Sequence, residues 1–175
     1  LELWKWDDEV SQSRQRHESR STRRKMPKYV YHVDTKKCVL IAPPEMDQMY
    51  TPDCDVYSHV IIGDETPYRG LTDWRDGVTA DLYLVSLETG ECELLFKDFD
   101  QRPVWSPNGK YAMLYHAGQK TWFKLEAATG ELTDVSTSIG YAMYDEEYDK
   151  PKPAGPYGIA GWLEGGDQVV LYDKY

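Results

Sequence analysis

Short apolar runs recur along the whole chain, and turn-forming clusters close most of them. Tyr29–Asp34 and Cys38–Ile41 flank Thr35-Lys36-Lys37. Val56–Ile62 reads as a strand. Asp81–Leu87 and Cys92–Phe96 flank Thr89-Gly90-Glu91, and Thr121–Glu126 and Leu132–Val135 flank Thr129-Gly130-Glu131. Pro103–Ser106 and Lys110–Tyr115 flank Pro107-Asn108-Gly109. Ile159–Leu163 and Gln168–Tyr172 flank Gly165-Gly166. Each pair predicts a hairpin, because proline presets φ early in a turn and glycine supplies the left-handed residue that closes it. No segment carries a long apolar stripe of helical period, which argues against an α/β layout. Val60-Ile61-Ile62, Tyr83-Leu84-Val85 and Val169-Val170-Leu171 are continuous apolar runs. A strand covered on one face alternates apolar and polar residues, whereas one sandwiched between neighbouring sheets need not.

One phrase is repeated. Trp105–Tyr115 reads WSPNGKYAMLY and Trp162–Tyr172 reads WLEGGDQVVLY. They match without gaps at the tryptophan, at Gly109 and Gly166, at Leu114 and Leu171, and at the final tyrosine. A weaker copy, Tyr50–Val60, reads YTPDCDVYSHV. Near-equal spacing of such units in a β-rich chain predicts an all-β array of four-stranded antiparallel blades, a partial, open-ended β-propeller. The strands divide into about three blade equivalents. Residues 1–44 form an outer half blade, 50–96 and 102–135 form full blades, and 157–175 form an inner half blade. Trp105 and Trp162 are expected to pack between blades. Trp74, in the long Asp64–Thr79 connection, is expected to cap its blade or meet a partner domain.

Charge changes this picture only locally. The chain of 175 residues has a net charge of −10. Ser11–Lys28 nevertheless carries Arg14, Arg16, Arg20, Arg23, Arg24, Lys25 and Lys28 against Glu18 alone. That run reads as a solvated insertion at 11–28 between strands at Leu1–Trp6 and Tyr29–Val33. It lacks interleaved aromatics or a reading element, so nucleic-acid binding is not expected. No apolar run is long enough for a membrane-spanning helix, and no membrane partner is expected. The chain starts at Leu1 and not at a methionine, so it is expected to be part of a longer protein. Tyrosine (14) and tryptophan (6) outnumber phenylalanine (3), as suits half-buried strands and the walls of wet clefts. Cys38, Cys54 and Cys92 show no C-x-x-C spacing. They are expected to be small, mostly buried strand or turn residues, with no metal and no cofactor.

Several stretches carry a resemblance. They are ELWKWDDEVSQSRQ (Glu2–Gln15), YVYHVDTKKCVLIA (Tyr29–Ala42), DETPYR (Asp64–Arg69), DLYLVSLETGE (Asp81–Glu91), YDEEYDKP (Tyr144–Pro151) and PYGIAGWLEGGDQVVLYDKY (Pro156–Tyr175). In that order they resemble the β-propeller of bacterial prolyl-oligopeptidase-family serine peptidases, most of all the dipeptidyl-aminopeptidase-like branch. The resemblance implies a C-terminal α/β-hydrolase domain as partner, a peptide substrate, and a periplasmic or extracellular bacterial setting. It implies that this segment restricts access to the active site. The family's G-x-S-x-G elbow is absent here, so no catalytic residue is assigned. His17, His32, His59 and His116 are scattered, and the last three read as ordinary strand or strand-end residues. Tyr144-Asp145-Glu146-Glu147 resembles the paired-glutamate motif that holds a substrate's free α-amine. Paired carboxylates suit an ammonium because charge-assisted hydrogen bonds are strong. Glu146 and Glu147 are therefore candidate substrate-binding residues, joined by Arg69 as a candidate in the same cavity. A non-enzymatic propeller, serving as a protein-interaction or periplasmic binding module, is the alternative. The open strand edges lead us to expect self-association by strand pairing or swapping.

Overall fold

The computed structural model describes residues 12, 13, 15–17, 25–71, 77 and 79–174. The expected strand at Leu1–Trp6, most of the basic insertion and Trp74 lie outside them. The chain is all-β, open and propeller-like. The N-terminal hairpin pairs β1 (Lys28–His32) with β2 (Lys37–Ala42). The first full sheet runs β3 (Gln48–Tyr50), β4 (His59–Asp64), β5 (Ala80–Ser86) and β6 (Cys92–Phe99). The second runs β7 (Val104–Trp105), β8 (Tyr111–His116), β9 (Thr121–Glu126) and β10 (Leu132–Asp134). The C-terminal hairpin pairs β11 (Ile159–Trp162) with β12 (Val169–Leu171). Every pairing is antiparallel between sequence neighbours, so each full sheet is a meander.

The continuous apolar runs are explained by burial on both faces. In β4, Ile61 joins the core between the two full sheets, with Leu84, Leu114 and Leu125. Its neighbours Val60 and Ile62 point the other way, into a core with Val39 and Ile41 of the N-terminal hairpin. β8 does the same. Ala112 and Leu114 face the first full sheet, while Met113 and Tyr115 meet Trp162, Val169 and Leu171 of the C-terminal hairpin. Alternate side chains on one strand thus feed two different cores, and the sheets stack face to face in chain order. The third run departs from the expectation. Val170 is 42% exposed, because it points away from the second full sheet and no further sheet covers that face among the described residues.

The repeated phrase marks the contacts between blades. Its turns stack. A side-chain carbon on Gly109 would lie 2.9 Å from Cys54 Sγ and 3.3 Å from Tyr57 Cβ, in the preceding blade. The Asn108 side-chain amide in turn donates to Gly165 O at 2.5 Å and Asp167 Oδ1 at 3.1 Å, in the following one. Trp105 Nε1 donates to Tyr50 O at 2.9 Å. Further out, His32 Nε2 lies 3.0 Å from Leu87 O. Trp105 and Trp162 both pack against core clusters.

The structure corrects three readings. The Tyr50 copy is not gapless. Trp105 pairs with Ala112 and Trp162 with Val169, but Tyr50 pairs with Ile61 across a longer connection. For the same reason the strand expected from Val56 begins only at His59. Val56 is exposed, and the 52–57 stretch packs against the Gly109 turn instead of entering the ladder. Finally, Cys38 and Cys92 lie on strands but are exposed, and Cys54 is partly exposed. None of the three forms a disulfide.

Candidate functional site

The end of β6, the β8–β9 turn and part of the connection between β10 and β11 enclose a cavity of about 570 Å³. Its wall comes from Lys97–Asp100 at the end of β6, His116–Gly118 in the β8–β9 turn, Thr79, and Lys150–Pro153. The β6 end is shaped by a bulge, seen as register shifts against β5 and a left-handed Asp98 at φ 53°. Tyr68, on the 3₁₀ turn Thr66–Leu71, fixes this bend. Its hydroxyl donates to Asp81 Oδ1 and accepts from Asp98 N at 2.8 Å. Asp98 N also donates to the buried Asp81 carboxylate at 3.1 Å. Desolvation first, and then the hydrogen bond to Asp81, push the Tyr68 hydroxyl up to about 12. It stays a neutral donor at physiological pH.

His116 ends β8. Its ring lies edge-on to Phe96, with centroids 5.2 Å apart. Its Nδ1 accepts from Gln119 N at 3.2 Å, which places the neutral ring's proton on Nε2. Thr79 supplies the only hydroxyl among the lining residues, and no serine or cysteine joins it. The wall thus combines Lys97, Lys150 and Lys152 with Asp98, Asp100 and the Phe99 ring. Such a surface suits binding of a segment bearing both charges.

The loop that closes the cavity also carries the acidic stretch. Residues 144–157 fold back on themselves. Tyr144 bridges Pro156, Asp145 N donates to Gly155 O at 2.9 Å, and Tyr157 N donates to Met143 O at 3.3 Å. The buried Tyr115 hydroxyl anchors the loop to the second full sheet by donating to Ala154 O at 3.1 Å. Burial raises that phenol to about 12, so the anchor also persists at neutral pH.

Glu146 and Glu147 are both exposed at the start of this loop and do not line the cavity. Their backbones are set by neighbours: Glu146 N donates to Tyr157 Oη at 3.3 Å, and Glu147 N donates to Asp145 Oδ1 at 3.1 Å. Glu147 Oε1 sits 2.6 Å from the Lys174 ammonium. The Lys174 hydrogen bond, and then its charge, hold the Glu147 carboxyl below the usual range. Arg69 is half-buried on the Tyr68 turn and is likewise not part of the cavity wall. The structure therefore brings the two glutamates together on one loop and places Arg69 on a different one. Tyr68, Asp98, Asp100, His116 and Lys150–Pro153 were not picked out as site residues by the sequence. Tyr68 and Lys150-Pro151 lie within the DETPYR and YDEEYDKP stretches, His116 reads as an ordinary strand or strand-end residue, and Tyr115 closes the repeated phrase.

Among the described residues no group of three or more histidine, cysteine or carboxylate side chains could hold a metal ion, and no helix is long and apolar enough to cross a membrane. No family model matches this chain, and neither a curated protein nor a solved structure matches it.

Proposed function

We propose that this chain is the non-catalytic propeller part of a serine exopeptidase. In this reading it restricts access to the active site of a C-terminal α/β-hydrolase domain and anchors the free amine of a peptide substrate at Glu146 and Glu147. The observation that carries the reading is the Lys174 ammonium on Glu147 Oε1 at 2.6 Å. A primary ammonium already sits on one of the two exposed carboxylates, by the kind of charge-assisted contact a peptide's α-amine would make. The neighbouring cavity, walled by the same loop, offers space for the residues that follow the amine.

Calorimetric titration tests the reading with a free-amine tetra-alanine peptide and its N-acetylated twin. Glu146→Gln with Glu147→Gln should weaken binding of the free-amine peptide about tenfold or more, the size of one lost charge-assisted hydrogen bond. Lys174→Met, by freeing the carboxylate, should strengthen it. The acetylated peptide should respond to neither change. Affinity should persist above the ordinary carboxylate range and fall as pH drops through the depressed Glu147 value, since only the ionised group attracts an amine. Equal binding of both peptides to all variants would sink the reading.

A further inference from the structure

The N-terminal and C-terminal hairpins carry the registers of opposite halves of a blade. β1–β2 repeats the outer pair of a full sheet. Tyr31 pairs with Cys38 as Val85 pairs with Cys92 and Leu125 with Leu132. A left-handed residue then closes each turn at the same place: Lys36, Gly90 and Gly130. β11–β12 repeats the inner pair. Trp162 pairs with Val169 and Gly161 with Val170, as Trp105 pairs with Ala112 and Val104 with Met113.

Each half lacks the neighbour that the other would supply. In the second full sheet the inner pair meets the outer pair through β8 and β9, with Ala112 opposite Leu125 and Met113 opposite Lys124. The positions matching β8 and β9 in the hairpins are β12 and β1, and among the described residues neither has a strand on that side. Exposure follows. Leu125 is 0% exposed and Met113 1%, whereas their counterparts Tyr31 and Val170 are 58% and 42%. Tyr29 and Tyr172 are exposed as well.

We propose that two copies of the 175-residue chain close into one ring, each copy's β12 pairing antiparallel with the other's β1. Transferring the β8–β9 register sets Val169 opposite Tyr31, Val170 opposite Val30 and Leu171 opposite Tyr29. Each chain brings two full sheets and two halves. Two chains thus make four intact blades and two composite ones, six in all, inside the usual range of four to eight. Closure of one chain on itself would need a ring of three, below that range. The same contact is made twice about a two-fold axis, so the assembly is finite and leaves neither β12 nor β1 unpaired. This inference rests on the sheet arrangement and is independent of the peptide-binding reading. In a longer chain with further blades, β12 would take the next strand of its own chain.

Sedimentation velocity on the 175-residue chain should give one species of twice the 20.3 kDa chain mass. Register is tested by disulfide formation with Cys38, Cys54 and Cys92 replaced by serine. Mixed Val30→Cys and Val170→Cys chains should form a covalent heterodimer on a non-reducing gel, and neither chain alone should do so. A monomer up to hundreds of micromolar would overturn the proposal, as would an indefinite polymer. Cross-linking of Val170→Cys chains to one another would also overturn it, because that requires β12 against β12.

Discussion

Met113→Ala should lower the stability of the chain by about 2–5 kcal/mol, while Val170→Ala should cost less than about 1 kcal/mol at concentrations where the chain is monomeric. The two residues hold the same place in the repeated phrase, so local sequence and strand position are matched. They differ in what covers them. Met113 is 1% exposed in the core that β8 shares with Met143, Tyr144 and Trp162, whereas Val170 is 42% exposed on a strand with one neighbour. Truncating Met113 removes transfer free energy and leaves a cavity that close-packed neighbours only partly fill. With total stability near 5–15 kcal/mol for a domain, that loss should move the urea midpoint clearly. Similar costs at both positions in dilute solution would mean that the stacked sheets do not hold β8 as described. A cost at Val170 that grows with protein concentration would instead report the pairing of β12 with another copy.

Gly90→Ala should be markedly worse than Gly140→Ala. Both glycines are left-handed, at φ 77° and 78°, so both substitutions carry the backbone penalty of about 1–2 kcal/mol. Around Gly140 nothing lies within 4 Å of the added carbon. At Gly90 the same carbon would sit 2.8 Å from Leu40 O and 2.9 Å from Val39 Cγ1, both on β2 of the N-terminal hairpin. A backbone carbonyl cannot swing aside like a side-chain tip, so the hairpin itself must shift, at about 1–3 kcal/mol of overpacking. The extra loss should appear as a lower melting temperature and as faster amide exchange in β1 and β2, with the second full sheet unaffected. Equal effects of the two substitutions would remove the contact between the outer turn of one blade and the strand of the one before it.

The fold was legible where local chemistry and long-range packing agree. Thr-Gly-Glu and Ser-Pro-Asn-Gly turns fix hairpins by their own backbone preferences, and the left-handed Gly90, Gly109 and Gly130 sit where those turns require them. The continuous run Val60-Ile61-Ile62 signalled burial on two faces, and the structure buries it between two neighbouring sheets. The same pattern in Val169-Val170-Leu171 misled, because a sequence run records what a strand prefers to meet and not whether a neighbour is there. The Tyr50 connection was misjudged because its extra residues pack on the Gly109 turn of the next blade, a contact between residues far apart in the chain. The cavity was hidden for a related reason. It depends on a bulge at Asp98, fixed by Tyr68 from a separate turn, and neither residue type announces such a bend. The acidic pair was visible as a motif, but its Lys174 partner, at the far end of the chain, was not.

The stacking of the repeated turns underlies the fold. A nuclear Overhauser spectrum of the chain reads it directly at Asn108 and Gly109. Stacked turns give cross-peaks from the Gly109 α-protons to the Tyr57 β-protons, and from the Asn108 side-chain amide to Gly166, since these groups are in contact across blade boundaries. Hairpins that form locally, with both sets of cross-peaks missing, would contradict the stacked arrangement.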